Sequence, residues 1–172
     1  YGIDARIYEM DLTTENAAQC VYDFTRENKL CINFLINNAG VGHDGRIEDI
    51  CSEKINEMIS LNIKPLTLLT HLYMKDLKSN GRSYILNVGS FGAFLPIPNK
   101  SVYMGTKSYI YYFSQALRSE LNGSNTKVCI LIPSGVLTNN IVRERIKKSG
   151  VMGRKTALTA DQVAKYTMKR VM

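Results

Sequence analysis

Residues 83–107 read SYILNVGSFGAFLPIPNKSVYMGTK. The run Ser83–Val88 has strand character and is short and apolar enough to be buried. A loop with Gly89, Gly92, Pro96 and Pro98 follows. A long helix then runs to about Leu121, with Ile110, Phe113, Leu117 and Leu121 at helical spacing. Strand, glycine-bearing loop and long helix in that order form the unit from which parallel sheets are built.

The chemistry in this stretch sits at its joints. Tyr103 and Lys107 are four apart at the helix start, so both project from one face about a turn apart. A cation near a phenol favours the phenolate. Unperturbed tyrosine titrates near ~10, and a lower value makes it a usable general acid or base. Of the ten tyrosines, only Tyr103 has Lys at the fourth position onward. Ser90 stands just past the strand, thirteen residues before Tyr103. Its hydroxyl can bond a substrate oxygen as charge develops there; a plain turn serine is the alternative.

Outward from this stretch the same alternation continues. Ala5–Met10 reads as a strand. Thr13 or Thr14 caps a helix through Asn28, with Ala17, Val21 and Phe24 on one face. Ile32–Ile36 is a short buried strand, and Asn37–Gly45 a loop. Residues 52–79 are helical, divided or bent at Pro65 and ended by Asn80-Gly81. After the long helix, Asn122-Gly123 gives a stop, Lys127–Ile132 a strand and Pro133–Thr138 a turn. A basic helix over about Asn139–Lys148 and another over Ala160–Val171 complete the chain. The order predicts one α/β domain over residues 1–172, a three-layer, doubly wound parallel sheet. Ligands of such sheets bind at the carboxyl ends of the strands, which points to residues 11, 37–40, 88–90 and 133–138.

Unusual residues occupy these places. In Asn37-Asn38-Ala39-Gly40, Gly and Ala admit a flat ligand close to the backbone. The Asn side chains can tie strands together or bond a ribose. Asp11 ends the first strand or caps the next helix. Asn62 lies inside a helix, where Asn is unfavourable, and Pro65 deprives the Leu61 carbonyl of its helical donor. The disturbed helix beside Asn62 can hold a water; a surface Asn is the alternative.

Bulk properties remove other classes. The chain has 172 residues, 45% hydrophobic, with a net charge of +7. No apolar stretch reaches the ~20 residues of a membrane helix, and no signal peptide is visible. Cysteines 20, 31, 51 and 129 form no CxxC pair, and His43 and His71 lie near none of them in ligand spacing. Disulfide and metal frameworks are therefore not expected, and free thiols fit a cytoplasmic setting. The basic residues are spread out, with a local cluster at Arg143, Arg145, Lys147 and Lys148, and no nucleic-acid module accompanies them.

The ordered set Asp11, Asn37-Asn38-Ala39-Gly40, Asn62, Asn87-Val88-Gly89-Ser90, Tyr103-x-x-x-Lys107 and Pro133…Thr138 resembles the short-chain dehydrogenase/reductases over nearly the whole chain. The resemblance implies a Rossmann-like fold and an oxidoreductase that transfers a hydride between a nicotinamide and a carbonyl or alcohol. Tyr103 would be the general acid and base, Lys107 would lower its pKa and hold the nicotinamide ribose, and Ser90 would polarise the substrate oxygen. Asn62 would bind the water of a proton relay from Lys107. Asp11 would meet the adenine, Asn38, Ala39 and Gly40 the adenosine side, and Val136 and Thr138 the carboxamide. The cofactor is NAD or NADP, with NADP slightly favoured. The helices from Asn62 and Tyr103 onward pair subunits in that family, so a homodimer or homotetramer is expected.

Two departures stand out. The family's Pro-Gly is here Pro133-Ser134-Gly135. The family's glycine-rich pyrophosphate turn does not occur, because residue 1 falls just before the family's third strand. A fragment, or the ordered part of a longer polypeptide, is therefore expected, without the first two strands and the last; these residues alone are expected to bind cofactor weakly or not at all. An apolar substrate is expected from Phe91, Phe94, Leu95, Pro96, Ile97 and Pro98, together with Ile141, Val142, Val151 and Met152. The alternatives are a non-catalytic or cofactor-deficient fragment on the same fold, and a nucleotide-sugar epimerase or dehydratase using the same Tyr/Lys pair.

Overall fold

The structure is a computed structural model that describes residues 3–137 and 157–171. Three parallel strands form its centre: β1 (Phe34–Asn37), β2 (Ser83–Val88) and β3 (Thr126–Leu131), in the order β1-β2-β3. Asn37 pairs with Asn87 and Val88 with Leu131, so the carboxyl ends lie side by side.

Helices link the strands. α1 (Ala17–Glu27) precedes β1, α2 (Ser52–Asn62) and α3 (Lys64–Ser79) join β1 to β2, and α4 (Ser101–Glu120) joins β2 to β3. The expected division at Pro65 is present: α2 stops at Asn62, and proline opens α3, where its missing N–H has no helical bond to lose. One face of α3 buries Leu66, Leu69, Tyr73 and Leu77. Leu69, Tyr73 and Leu77 join Ala18, Ile85, Leu117, Leu121 and Val128 in a core that α1, α3 and α4 build on one face of the sheet. Each fully buried Leu or Ile there contributes about 1.5–3 kcal/mol. α4 ends at Glu120 with Leu121 as its C-cap, and Gly123 (φ 80°) takes the left-handed turn into β3.

A polar seam runs across that face. Asn37 Nδ2 donates to Asn87 Oδ1 (2.8 Å) and Thr70 Oγ1 (3.2 Å), and Asn87 Nδ2 donates to Ser114 Oγ (2.8 Å). Asn37 thus ties neighbouring strands, one of the two roles read from the sequence. The seam is satisfied throughout, as buried amides require.

Two sequence expectations are corrected. Ala5–Met10 is not a strand: residues 3–11 have no regular structure, and Ile7 is 91% exposed. Strand propensity needs an edge to pair with, and β1 pairs with β2 alone among the described residues. The segment is held instead by Tyr8 stacked on Phe24 at 4.5 Å and by Arg6 bonded to Asn28. The other correction lies in Pro133–Thr138, where Gly135–Leu137 forms a strand, β4, parallel to β5 (Ala157–Thr159). Its partner is remote in sequence, so local turn signals could not reveal it. α5 (Ala160–Val171) follows β5. Thr138, the basic helix expected over 139–148, and Ile141, Val142, Val151 and Met152 lie outside the described residues. No described helix is long and apolar enough to cross a membrane.

Candidate active site

The carboxyl ends of β1 and β2, the loops after them, the start of α4 and residues 134–136 surround a cavity of about 650 Å3. Ser90, Tyr103, Lys107, Asn38, Gly40 and Val136 all line it. Phe91, Leu95, Ile97 and Met104 make much of the remaining wall apolar.

Lys107 is the most constrained of the polar groups. It is 5% exposed, yet it is a lysine on the first turns of a helix. Its Nζ donates to Val88 O at 3.1 Å and lies 5.8 Å from the centre of the Tyr103 ring. Burial disfavours the ammonium and holds its pKa below the usual 10.5. Tyr103 is half-buried, its ring packed on the backbone of Gly42: a Cβ at Gly42 would fall 2.9 Å from Tyr103 Cδ2. Ser90 stands in extended backbone at the start of a short 3-10 turn, Phe91–Phe94, and its Oγ accepts the Gly92 N–H at 3.2 Å. Phe91 N bonded to Pro133 O and Ser108 Oγ bonded to Ala93 O pin that turn to the neighbouring elements.

Asn62 sits directly behind the cavity at 1% exposure. Its Oδ1 accepts the Val41 N–H at 2.8 Å, and its Nδ2 donates to Val41 O and Thr106 Oγ1, both at 2.9 Å. The side chain therefore clamps the 38–45 loop to α4. A Cβ at Gly40 would come within 3.1 Å of Asn62 Oδ1 and 3.5 Å of Lys107 Nζ, so glycine keeps the path to the ammonium open.

Other expected positions stand apart. Ala39 lines a separate pocket of about 60 Å3 that also involves Leu12 and Asn38. Asp11 is exposed and lines neither pocket; its Oδ1 accepts from Thr13 N and Thr13 Oγ1, and these bonds lower its pKa. It organises the turn before α1 without capping the helix itself, because the N-cap is Asn16.

The structure adds residues not singled out from the sequence: Gly42, Asp44, Lys100 and Met104. Lys100 Nζ meets Asp44 Oδ1 at 3.0 Å on the cavity wall. For Met104 the signal was present, because positions 103, 104 and 107 fall on one helix face, with Lys100 at the N-cap just before it.

Comparison with known proteins identifies the family. Residues 2–149 match the family described as short chain dehydrogenase. The chain belongs to the short chain dehydrogenase family. A short-chain type dehydrogenase/reductase of Sinorhizobium fredii is 37% identical over 120 residues, covering 69% of this chain and 48% of that protein. The mouse 17-beta-hydroxysteroid dehydrogenase type 3 is 28% identical over 175 residues, covering 99% of this chain and 53% of that protein. Among solved structures, the 3-ketoacyl-(acyl-carrier-protein) reductase from Brucella melitensis, complexed with NADH, superposes with a TM-score of 0.79 at 26% identity, covering 95% of this chain and 69% of that one. The short chain dehydrogenase chain thus spans about half the length of these curated relatives, and its sheet and helices are those of a Rossmann fold.

Proposed function

We propose that this chain carries the catalytic part of an NAD(P)-dependent oxidoreductase acting on the carbonyl or alcohol group of a small, apolar molecule. The observation behind the proposal is the convergence of Ser90, Tyr103 and Lys107, from two separate elements, on one largely apolar cavity. The bound nicotinamide, NAD or NADP, supplies or accepts the hydride. The NADH complex of the Brucella reductase supports that cofactor class.

The residues divide the remaining work. The Ser90 oxygen already accepts from Gly92 N, so its own O–H is available to a substrate oxygen. The Tyr103 phenol delivers a proton to that oxygen in reduction and removes it in oxidation. Lys107 spends one ammonium hydrogen on Val88 O and keeps two for ribose hydroxyls. Asn62 positions Val41, and the second lone pair of its Oδ1 serves a relay water, since Asn62 Oδ1 and Lys107 Nζ both flank Gly40. Asn38, Ala39 and Gly40 offer the adenosine side an exposed backbone. Asp11 serves the adenine, and Val136 and Thr138 serve the carboxamide. The apolar residues Ile59, Leu68, Tyr109 and Tyr112, exposed on α2, α3 and α4, support pairing of subunits through these helices.

The test uses the full-length gene product, with a panel of apolar ketones and both reduced nicotinamides. Carbonyl-dependent oxidation of one nicotinamide is expected. Tyr103→Phe, which removes only the hydroxyl, should lower kcat about 10²–10⁴-fold with the circular dichroism spectrum unchanged. A Tyr103→Phe protein that turns over like wild type would remove Tyr103 from the chemistry. A panel without any turnover would remove the oxidoreductase reading.

A further inference from the structure

One methionine fills the wall between Ser90 and Tyr103. Met104 follows Tyr103 on α4 and lines the same cavity. Facing it is Gly92, buried in the 3-10 turn, with its N–H on the Ser90 hydroxyl. A Cβ placed on Gly92 would lie 2.5 Å from Met104 Sδ and 2.8 Å from Met104 Cε. The thioether tip therefore occupies the space that a side chain at position 92 would need. Ser90 Oγ, the next atom, would be 3.4 Å from that Cβ. Gly92 is not among the glycines with positive φ. Space, not backbone conformation, calls for glycine at this position.

We propose that Met104 and Gly92 together set the size of the group accepted beside the reacting carbonyl. Met104 is the specificity-determining residue, and Gly92 positions it by letting its tip lie against the Ser90 turn. This rests on the oxidoreductase reading above, which puts Ser90 and Tyr103 on the carbonyl oxygen; Met104 then borders the substituent next to that carbon. Methionine suits such a place, because its unbranched, polarisable chain fills irregular gaps. A methylene more or less in an apolar pocket changes discrimination about 10–200-fold.

The contact predicts opposite effects at its two ends. Met104→Ala shortens the side chain and widens the cavity beside the carbonyl. Gly92→Ala inserts a methyl where the tip lies; the tip is the flexible partner and swings into the open cavity, narrowing it. In the double variant the new methyl has no tip to displace, so selectivity follows Met104→Ala.

Acetophenone and isobutyrophenone differ only in carrying methyl or isopropyl on the carbonyl carbon, and they make the probe pair. The ratio of their kcat/KM values is measured in the full-length gene product and its three variants. Their dissociation constants are measured by calorimetry in the same set built on Tyr103→Phe. The isopropyl-to-methyl ratio should rise about tenfold or more in Met104→Ala, fall by a similar factor in Gly92→Ala, and rise again in the double variant. Met104→Val, a smaller truncation, should shift it in the same direction as Met104→Ala and serves if the alanine variant does not fold. A folded Met104 variant that changes both ketones equally would overturn the proposal, as would Gly92→Ala with the wild-type ratio. If wild type reduces neither ketone, the dissociation constants decide the size gauge by the same signs, while the oxidoreductase reading stands or falls on the wider ketone panel.

Discussion

Replacing Asn62 by alanine tests the claim that its side chain clamps the loop under Tyr103. Asn62 makes three hydrogen bonds, at 2.8, 2.9 and 2.9 Å, two of them to the backbone of Val41. A net contribution of about 1 kcal/mol per bond puts the loss near 3 kcal/mol. Val41 is only partly buried, so water can take up part of what Asn62 leaves, and about 2–3 kcal/mol is the working figure. With a urea m-value of about 2 kcal/mol/M, the midpoint should fall by about 1–1.5 M at unchanged slope. Asn62→Asp separates shape from hydrogen bonding. The carboxylate can still accept from Val41 N, but its second oxygen then faces Val41 O and has no hydrogen to donate. At neutral pH Asp should be at least as destabilising as Ala, although it is the closer match in shape. Urea melts followed by circular dichroism read both variants. A loss under about 0.5 kcal/mol for Asn62→Ala would refute the clamp and leave Asn62 as a bystander behind the cavity.

Two further predictions follow from the same site. Gly42→Ala should displace the Tyr103 ring, since the added carbon would sit 2.9 Å from Tyr103 Cδ2; a misplacement near 1 Å costs on the order of 100-fold in turnover. Unchanged steady-state kinetics with a full-activity substrate would count against a fixed ring position. Burial holds the Lys107 ammonium below 10.5 in the folded chain, so the unfolded chain binds more protons in the window between that lowered value and 10.5. Stability contributed by this group therefore rises with pH through the window, and Lys107→Met should flatten that rise. Urea melts at several alkaline pH values compare the slopes, and identical slopes in the two proteins would show that Lys107 is not desolvated.

Some of this was legible in the sequence because it is local. The break at Pro65 needs only a missing N–H, and placing Leu66, Leu69 and Tyr73 on one buried stripe needs only the helical period. Tyr103 and Lys107 share a face for the same reason, and with Ser90 they all line the cavity. What failed was what depends on a distant partner. Ala5–Met10 has strand-like residues but no strand to pair with among those described, and Gly135–Leu137 looks like a turn until Ala157–Thr159 is beside it.

The same division holds inside the site. The sequence by itself determined the alternation of strands and helices, the resemblance that made Ser90, Tyr103 and Lys107 candidates, and the helix face that Tyr103 and Lys107 share. Only the tertiary structure decided that Asn62 grips Val41, that Gly42 lies against the Tyr103 ring, and that the Met104 tip fills the space beside Gly92. Each of these is a contact between segments far apart in the chain, at distances where a single carbon atom changes the outcome. Periodicity and propensity carry no information about such contacts, because they are fixed by how separately formed elements pack against one another.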